Sequence, residues 1–291
     1  MNLKSRITLV TGASRGVGRG IAVGLGEAGA TVYVTGRTLN AGESHLPLSG
    51  SLTETAHEIT QAGGCGIAVR CDHTQDEEVE ALFQRIQVEH SRLDILVNNV
   101  WGGYEHFNDG TEFLKEKGFW TVPLSRWDQS FNAGIRAHYA ASVRGAKIMV
   151  ERREGLIVNV SAMMAFTENS GVAYGTAKAA SVKMAACMAH ELREHHVAAV
   201  TLMPGLVRTE AVMKDAEYFD LSNSESPQFL GRVVAGLYAD PDLMEKSGKW
   251  WIAAELAQEY GIKDVDGSQP RSIRPEFPDA TAGLPGVTEL S

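Results

Sequence analysis

Near its start the chain reads Ile7-Thr8-Leu9-Val10 and then, without a break, Thr11-Gly12-Ala13-Ser14-Arg15-Gly16-Val17-Gly18. The first four residues are a short apolar run rich in β-branched side chains, the pattern of a buried strand. Behind the glycines comes an apolar stripe at helical spacing, Val17, Ile21, Leu25 and Ala28. Strand, glycine-rich turn and helix in this order make a phosphate-binding βα unit. Gly12 permits the tight turn, Gly16 lets the backbone approach a pyrophosphate, and Gly18 lets helix and sheet pack closely. The helix N-terminus then faces an anion with unpaired N–H groups. A glycine-rich turn alone is often only a loop, and its place directly behind a strand is what gives it weight.

The same alternation continues. Residues 31–35 read as a second strand ending in Gly36-Arg37. In a dinucleotide fold the end of this strand meets the adenosine ribose, where an acid would bond a free 2′-hydroxyl and an Arg would pair with a 2′-phosphate. The chain supplies Arg37 and no acid from Thr31 to Asn40, and Arg15 adds a second positive charge. This predicts a preference for NADP(H) with NAD(H) still possible, the alternative being that Arg37 is merely a solvated side chain. A link over 39–52, broken by Gly42, Pro47 and Gly50, lies beside the adenosine or is a surface insertion. Then come a helix over 53–61 with Thr53 as N-cap, a strand over 67–70 leading to Cys71-Asp72-His73, and an amphipathic helix over 76–90. A fourth strand over 93–97 enters Asn98-Asn99. Repeated βα units imply a parallel sheet wound on both faces, whose ligands bind at the carboxyl ends of the strands. Asn98 sits at such an end, where it can satisfy backbone groups, and Asp72 can reach an adenine amine.

From Trp101 to Ser125 the spacing loosens, and Tyr104, Phe107, Phe113, Phe119 and Trp120 stand among glycines and charges. Aromatics in a loop need burial, against the domain, a second subunit or an apolar substrate, and a substrate wall is the preferred reading. A long helix is expected from about Ser125 past Met149, and a strand over 156–160 delivers Ser161 at its carboxyl end. Tyr174-Gly175-Thr176-Ala177-Lys178 follows in a helical stretch, so phenol and ammonium share one face a turn apart. A phenol with a pKa of about 10 is protonated at neutral pH, and an adjacent cation favours its ionised form and fits it for acid/base work. Alone, such a pair is commonly just a surface Tyr and Lys.

Composition limits the rest. With 27 basic and 36 acidic side chains the net charge is −9, and no basic stripe offers a nucleic-acid surface. Hydrophobic residues at 44% and charged residues at 22% are those of a soluble globular protein, and no apolar run reaches a membrane span. Cys65, Cys71 and Cys187 lack metal-ligand spacing. Their odd number, with no secretory leader, fits reduced thiols and a cytoplasmic location.

Thr11-Gly-Ala-Ser-Arg-Gly-Val-Gly18, Asp72, Asn98-Asn99, Ser161, Tyr174-xxx-Lys178 and Pro204-Gly205-Leu206-Val207-Arg208-Thr209 occur in an order and spacing that resembles the short-chain dehydrogenase/reductase family. The likeness spans roughly residues 4 to 250. It implies a single-domain α/β Rossmann fold of about seven parallel strands over 1–266, holding both cofactor and substrate, with an extended tail over 267–291. It also implies an oxidoreductase that interconverts a carbonyl and an alcohol on a small, largely apolar substrate. In that reading Tyr174 is the general acid/base, Lys178 lowers its pKa and holds the nicotinamide ribose, and Ser161 bonds the substrate oxygen. Gly12, Ser14, Arg15, Gly16, Val17 and Gly18 cradle the cofactor, with Asp72 and Asn98 near the adenosine. Pro204, Gly205, Val207 and Thr209 meet the nicotinamide carboxamide. The resemblance further implies a homodimer or homotetramer.

One departure stands out. Family members carry an Asn seven residues after a Trp-Asp pair, supporting a water chain that reloads the lysine, and counting from Trp127-Asp128 that position is Gly134. His138, one turn on, either contacts this relay or is a hydrogen-bonded core histidine. A polar, acidic stretch over 208–226 reads as a lid or as a disordered loop, and the tail is extended, partly disordered or draped on a neighbour. Strands over 198–203 and 247–252 and helices over 227–239 and 253–260 complete the pattern. A non-catalytic cofactor-binding sensor or scaffold is the competing function, with Gly134 its main support. An enoyl reductase fits less well, because that group spaces its Tyr and Lys more widely.

Overall fold

Strand β1 (Ile7–Thr11) is buried along its whole length because parallel strands flank it on both sides and helices cover both its faces. The computed structural model describes residues 1–44, 47–103 and 118–278. With β2 (Thr31–Gly36), β3 (Cys65–Arg70), β4 (Ile95–Asn98), β5 (Gly155–Val160), β6 (Val197–Met203) and β7 (Trp250–Ile252) it forms one sheet in the order β3-β2-β1-β4-β5-β6-β7. Every pairing is parallel, as in Val10↔Val34 and Val10↔Val97. Chain order reverses between β1 and β4, and such a switch point opens a crevice at the strand carboxyl ends.

Successive side chains of a strand point to opposite faces, and that alternation builds two cores. Val10, Val32, Val34, Val97, Val158 and Val200 face one side. There they meet α1 (Gly16–Glu27), α2 (Leu52–Gln61), α8 (Pro227–Tyr238) and α10 (Ala253–Tyr260) through residues such as Ile21, Ile59, Phe229 and Leu256. Leu9, Tyr33, Leu96, Ile157 and Ala199 face the other. They pack on α3 (Asp76–His90), α5 (Ala137–Arg152) and α6 (Val172–Leu192) through Leu82, Phe83, Met149 and Leu192. Completing the chain are α4 (Leu124–Ser130), α7 (Glu210–Lys214) and α9 (Leu243–Lys246). At the amino ends of the strands buried Asp94 accepts the Ile7 N–H at 2.7 Å and hydrogen bonds from Arg6, Arg92 and Tyr238.

Four local expectations are corrected. The N-cap of α2 is Ser51, not Thr53: its Oγ accepts the Glu54 N–H at 3.2 Å and donates to the Glu54 carboxylate at 3.0 Å. A capped start of this kind contributes about 1 kcal/mol. The long helix from near Ser125 is interrupted by a π-helical turn at Phe131–Arg136, which separates α4 from α5. Within that turn a Cβ at Gly134 would stand 3.0 Å from Cε3 and Cζ3 of Trp101, so the glycine admits the indole. The stretch after Thr209 is not featureless, because Thr209 caps α7 and Val207 pairs with Glu225 in a parallel bridge. Finally, residues 267–278 return to their own domain. Ile273 is buried beside Trp250 and Phe166, and Arg274 pairs with Glu255 at 2.6 Å and lies 4.6 Å over the Trp250 ring. Tyr104, Phe107 and Phe113 of the aromatic segment, and the tail from 279, lie outside the described residues.

Candidate active site

The glycine turn joins β1 to α1 at the switch point. Gly12 has φ +66°, and a Cβ there would come within 2.7 Å of the Val100 backbone. A Cβ at Gly18 would strike Asn99 Nδ2 and the Gly12 carbonyl, both at 2.3 Å. The turn is therefore clamped against the end of β4, and Asn99 is the clamp. Its Nδ2 donates to the carbonyls of Thr11 and Gly12 at 3.0 Å each, while Thr11 Oγ1 accepts the N–H groups of Asn99 and Val100. Asn98, expected at the adenosine, is fully buried and turns inward. Its Nδ2 donates to Ser142 Oγ and Asn159 Oδ1, tying β4 to α5 and β5.

The Gly16 N–H donates to a carboxylate oxygen of Glu210 at 2.8 Å. An acid from α7 thus occupies the N-terminus of α1, where the helix dipole and the free N–H groups favour an anion. Arg15 donates to the carbonyls of Ser49 and Gly50 and to Ser44 Oγ, which places the 47–50 segment against the turn beside Ser14. Burial lowers the Arg15 pKa, with the like charge of Arg37 adding to the effect and Glu210 opposing it. Arg37 is exposed at the end of β2. Two guanidiniums therefore stand near one another at the end of β2, where the sequence leads one to expect the adenosine ribose. At the end of β3 the Asp72 carboxylate accepts the Thr74 N–H at 3.0 Å and the Thr74 hydroxyl at 2.8 Å.

Helix α6 carries Tyr174 and Lys178. Its buried stripe runs Lys178, Ser181, Val182, Ala185, Ala189 and Leu192, so the lysine occupies a core position. Lys178 Nζ lies 5.4 Å from the centroid of the Tyr174 ring, as the separation of four requires. It also lies 4.0 Å over the Trp101 ring, and Trp101 meets the Tyr174 ring edge-on at 5.4 Å and 83°. Burial lowers the Lys178 pKa to about 8. Ser161, at the end of β5, is buried and donates its hydroxyl to the Lys178 carbonyl at 2.9 Å. Serving a substrate oxygen therefore requires that hydroxyl to swing away from the helix backbone.

His138 is a core histidine. Its Nε2 lies 2.9 Å from the Val100 carbonyl, which can only accept, so Nε2 carries the proton. Burial, with the Lys178 charge adding to it, lowers its pKa to about 3, and the ring is neutral. After β6, the Gly205 N–H donates to Glu225 at 3.0 Å, and Thr209 Cγ2 lies 3.6 Å from where a Gly16 Cβ would stand. The segment from Pro204 to Thr209 thereby reaches the glycine turn. Glu225 is buried, and burial raises its pKa to about 8; the Gly205 N–H opposes this, Asp264 adds to it and Arg208 opposes it.

The parallel sheet, the clamped glycine turn and the Ser161, Tyr174 and Lys178 group at one edge define an oxidoreductase of the dinucleotide-binding α/β class. The sequence model for short chain dehydrogenase matches residues 6–218, and the chain belongs to that family. It is 43% identical over 279 residues to Dehydrogenase/reductase SDR family member 1 of Mus musculus, covering 91% of this chain and 85% of that protein. A short chain dehydrogenase from Mycobacterium thermoresistibile shares the fold at TM-score 0.75 and 24% identity, over 99% of this chain and 94% of that one. A metagenomic short-chain oxidoreductase solved in complex with NADP superposes at TM-score 0.63 with 27% identity, over 82% of this chain and 93% of that one.

Sequence reasoning missed Glu210, Glu225 and the catalytic-side placement of Trp101. Glu210 follows a helix-capping Thr and reads as an ordinary first-turn acid, and Glu225 precedes the Ser226-Pro227 start of α8. Nothing local marks Glu210 as the partner of Gly16 or Glu225 as the partner of Gly205.

Proposed function

We propose that this chain is an NADP(H)-dependent carbonyl reductase or alcohol dehydrogenase acting on a small, largely apolar substrate. The carrying observation is a buried lysine one helical turn from Tyr174, its carbonyl gripped by Ser161, at the carboxyl edge of the sheet. The bound nicotinamide supplies the hydride; the chain supplies positions and protons.

Tyr174 gives its phenolic proton to the carbonyl oxygen in reduction and removes the alcohol proton in oxidation. Lys178 stabilises the phenolate and reaches the ribose hydroxyls. Ser161, once turned, donates to the same substrate oxygen as charge develops on it. Gly12, Ser14, Gly16, Val17 and Gly18 hold the pyrophosphate, with Gly16 exchanging the Glu210 carboxylate for a phosphate oxygen. Arg15 and Arg37 pair with a 2′-phosphate, and Asp72 takes the adenine amine. Pro204, Gly205, Val207 and Thr209 hold the carboxamide, while Asn98 acts through the sheet behind them. Met213, Tyr218 and Phe219, exposed on the segment after Thr209, suit an apolar substrate.

Among the described residues no helix is long and apolar enough to cross a membrane. We assign the protein to the cytoplasm as a homodimer or homotetramer, supported by exposed Leu124, Trp127, Tyr139 and Val143 on α4 and α5. The test is NADPH oxidation against a panel of ketones, quinones and aldehydes. Turnover is expected in the native chain, with a loss of about 10²- to 10⁴-fold in Tyr174→Phe while NADPH still binds. Binding without turnover in both would favour a non-catalytic sensor or scaffold.

A further inference from the structure

We propose that Trp101 is a positioning residue of the active site, its indole face seating the Lys178 ammonium and its edge contact fixing Tyr174, in space that Gly134 leaves open. The proposal rests on the acid/base reading of Tyr174 given above. Three contacts carry it: Lys178 Nζ at 4.0 Å from the indole centroid, the Tyr174 ring edge-on at 5.4 Å, and a position for a Gly134 Cβ only 3.0 Å from two indole carbons.

The indole is held from behind. His138 donates to the Val100 carbonyl, Thr11 Oγ1 accepts the Val100 N–H at 3.1 Å, and Asn99 is tied to the glycine turn. Trp101 follows directly on this clamp, so its placement is fixed by the same contacts that shape the phosphate site. An ammonium in a core position needs an electron-rich neighbour, and the face of a Trp is the best such surface among aromatic side chains. The absence of an Asn at 134 and the presence of a Trp at 101 are thus one adaptation. A side chain at 134 would press on the ring, and the ring takes over the seating of the lysine. The Lys178 charge helps to keep the His138 ring neutral, and the ammonium's effect on the phenol depends on how firmly the indole holds it.

The experiment reads Tyr174 ionisation from the 295-nm phenolate absorbance of each protein minus its Tyr174→Phe counterpart, which needs no substrate. In Trp101→Phe the Tyr174 midpoint moves to higher pH, by about 0.3 unit or more, and in Trp101→Tyr by less. The shift disappears when both proteins also carry Lys178→Met. No shift, a downward shift, or an equal shift without the lysine would overturn the proposal. As a second arm, Gly134→Asn lowers NADPH turnover and Trp101→Ala/Gly134→Asn recovers about tenfold or more of it; a double variant no better than Gly134→Asn would count against the pairing. Full turnover in Tyr174→Phe would instead remove the acid/base reading, leaving the absorbance result to stand on its own.

Discussion

Glu210 and Gly16, 194 residues apart in sequence, are joined by a 2.8 Å hydrogen bond from the first amide of α1 to the carboxylate of α7. Arg19 pairs with the same carboxylate at 3.5 Å. In the function proposed above, a dinucleotide phosphate takes the place of this acid. Glu210→Gln is expected to bind NADPH about 3- to 10-fold more tightly, the size of a charge effect at a helix N-terminus. Nucleotide fluorescence titration measures it, and unchanged affinity would mean the carboxylate leaves at no cost.

Arg15 and Arg37 stand close enough for the second to depress the pKa of the first. A bound 2′-phosphate relieves that repulsion, whereas a free hydroxyl does not. Arg37→Asp should shift the NADPH:NADH ratio of Michaelis constants toward NADH by about 10- to 100-fold, the scale of one lost charge-assisted contact. A native chain that already prefers NADH would refute the assignment.

Glu225 has its carboxyl pKa raised by burial from 4.5 to about 8. Between those values the folded chain holds a proton that the unfolded chain has released. Stability therefore falls as pH rises through this window and levels off above it, with a slope of at most about 1.4 kcal/mol per unit. Gln keeps the acceptor for the Gly205 N–H and cannot ionise. Thermal melts of Glu225→Gln should gain on the native chain steadily from pH 5 to 8; parallel curves would show that Arg208 keeps the carboxylate charged.

Asp94 is buried, and although burial favours its neutral form, Arg92, the Ile7 N–H and Arg6 together hold its pKa below the usual value. Asp94→Ala leaves the first amide of β1 without its acceptor and takes from Arg6 and Arg92 the carboxylate they share, although Glu154 remains beside both. A loss of about 1–3 kcal/mol is expected in urea denaturation. Because the folded pKa is depressed, this contribution is present at neutral pH and is lost as pH falls through it. The site lies at the far end of the strands, so NADPH affinity should hold while stability drops.

Much of this was legible in the chain because the signals are local. Val10 and Leu9, or Val97 and Leu96, are adjacent apolar residues that serve opposite faces, so the parallel sheet declares itself as unbroken runs. The four-residue step from Tyr174 to Lys178 survives because one helix carries both. What was hidden includes Ser51, which caps α2 two residues ahead of Thr53 through its own contact with Glu54, and the π turn at Phe131–Arg136, whose Gly134 packs on an indole 33 residues upstream. Asn98 and Asn99 are indistinguishable in sequence, and strand alternation alone sends one inward and the other to the turn.

Trp250 is wedged between Arg274 and Phe166, and Phe166 ends the turn that starts two residues after Ser161. The last turn before Pro278 thereby braces β7 and the turn that follows Ser161 as one packed layer, so a change at Ile273 or Arg274 is felt at the carboxyl end of β5.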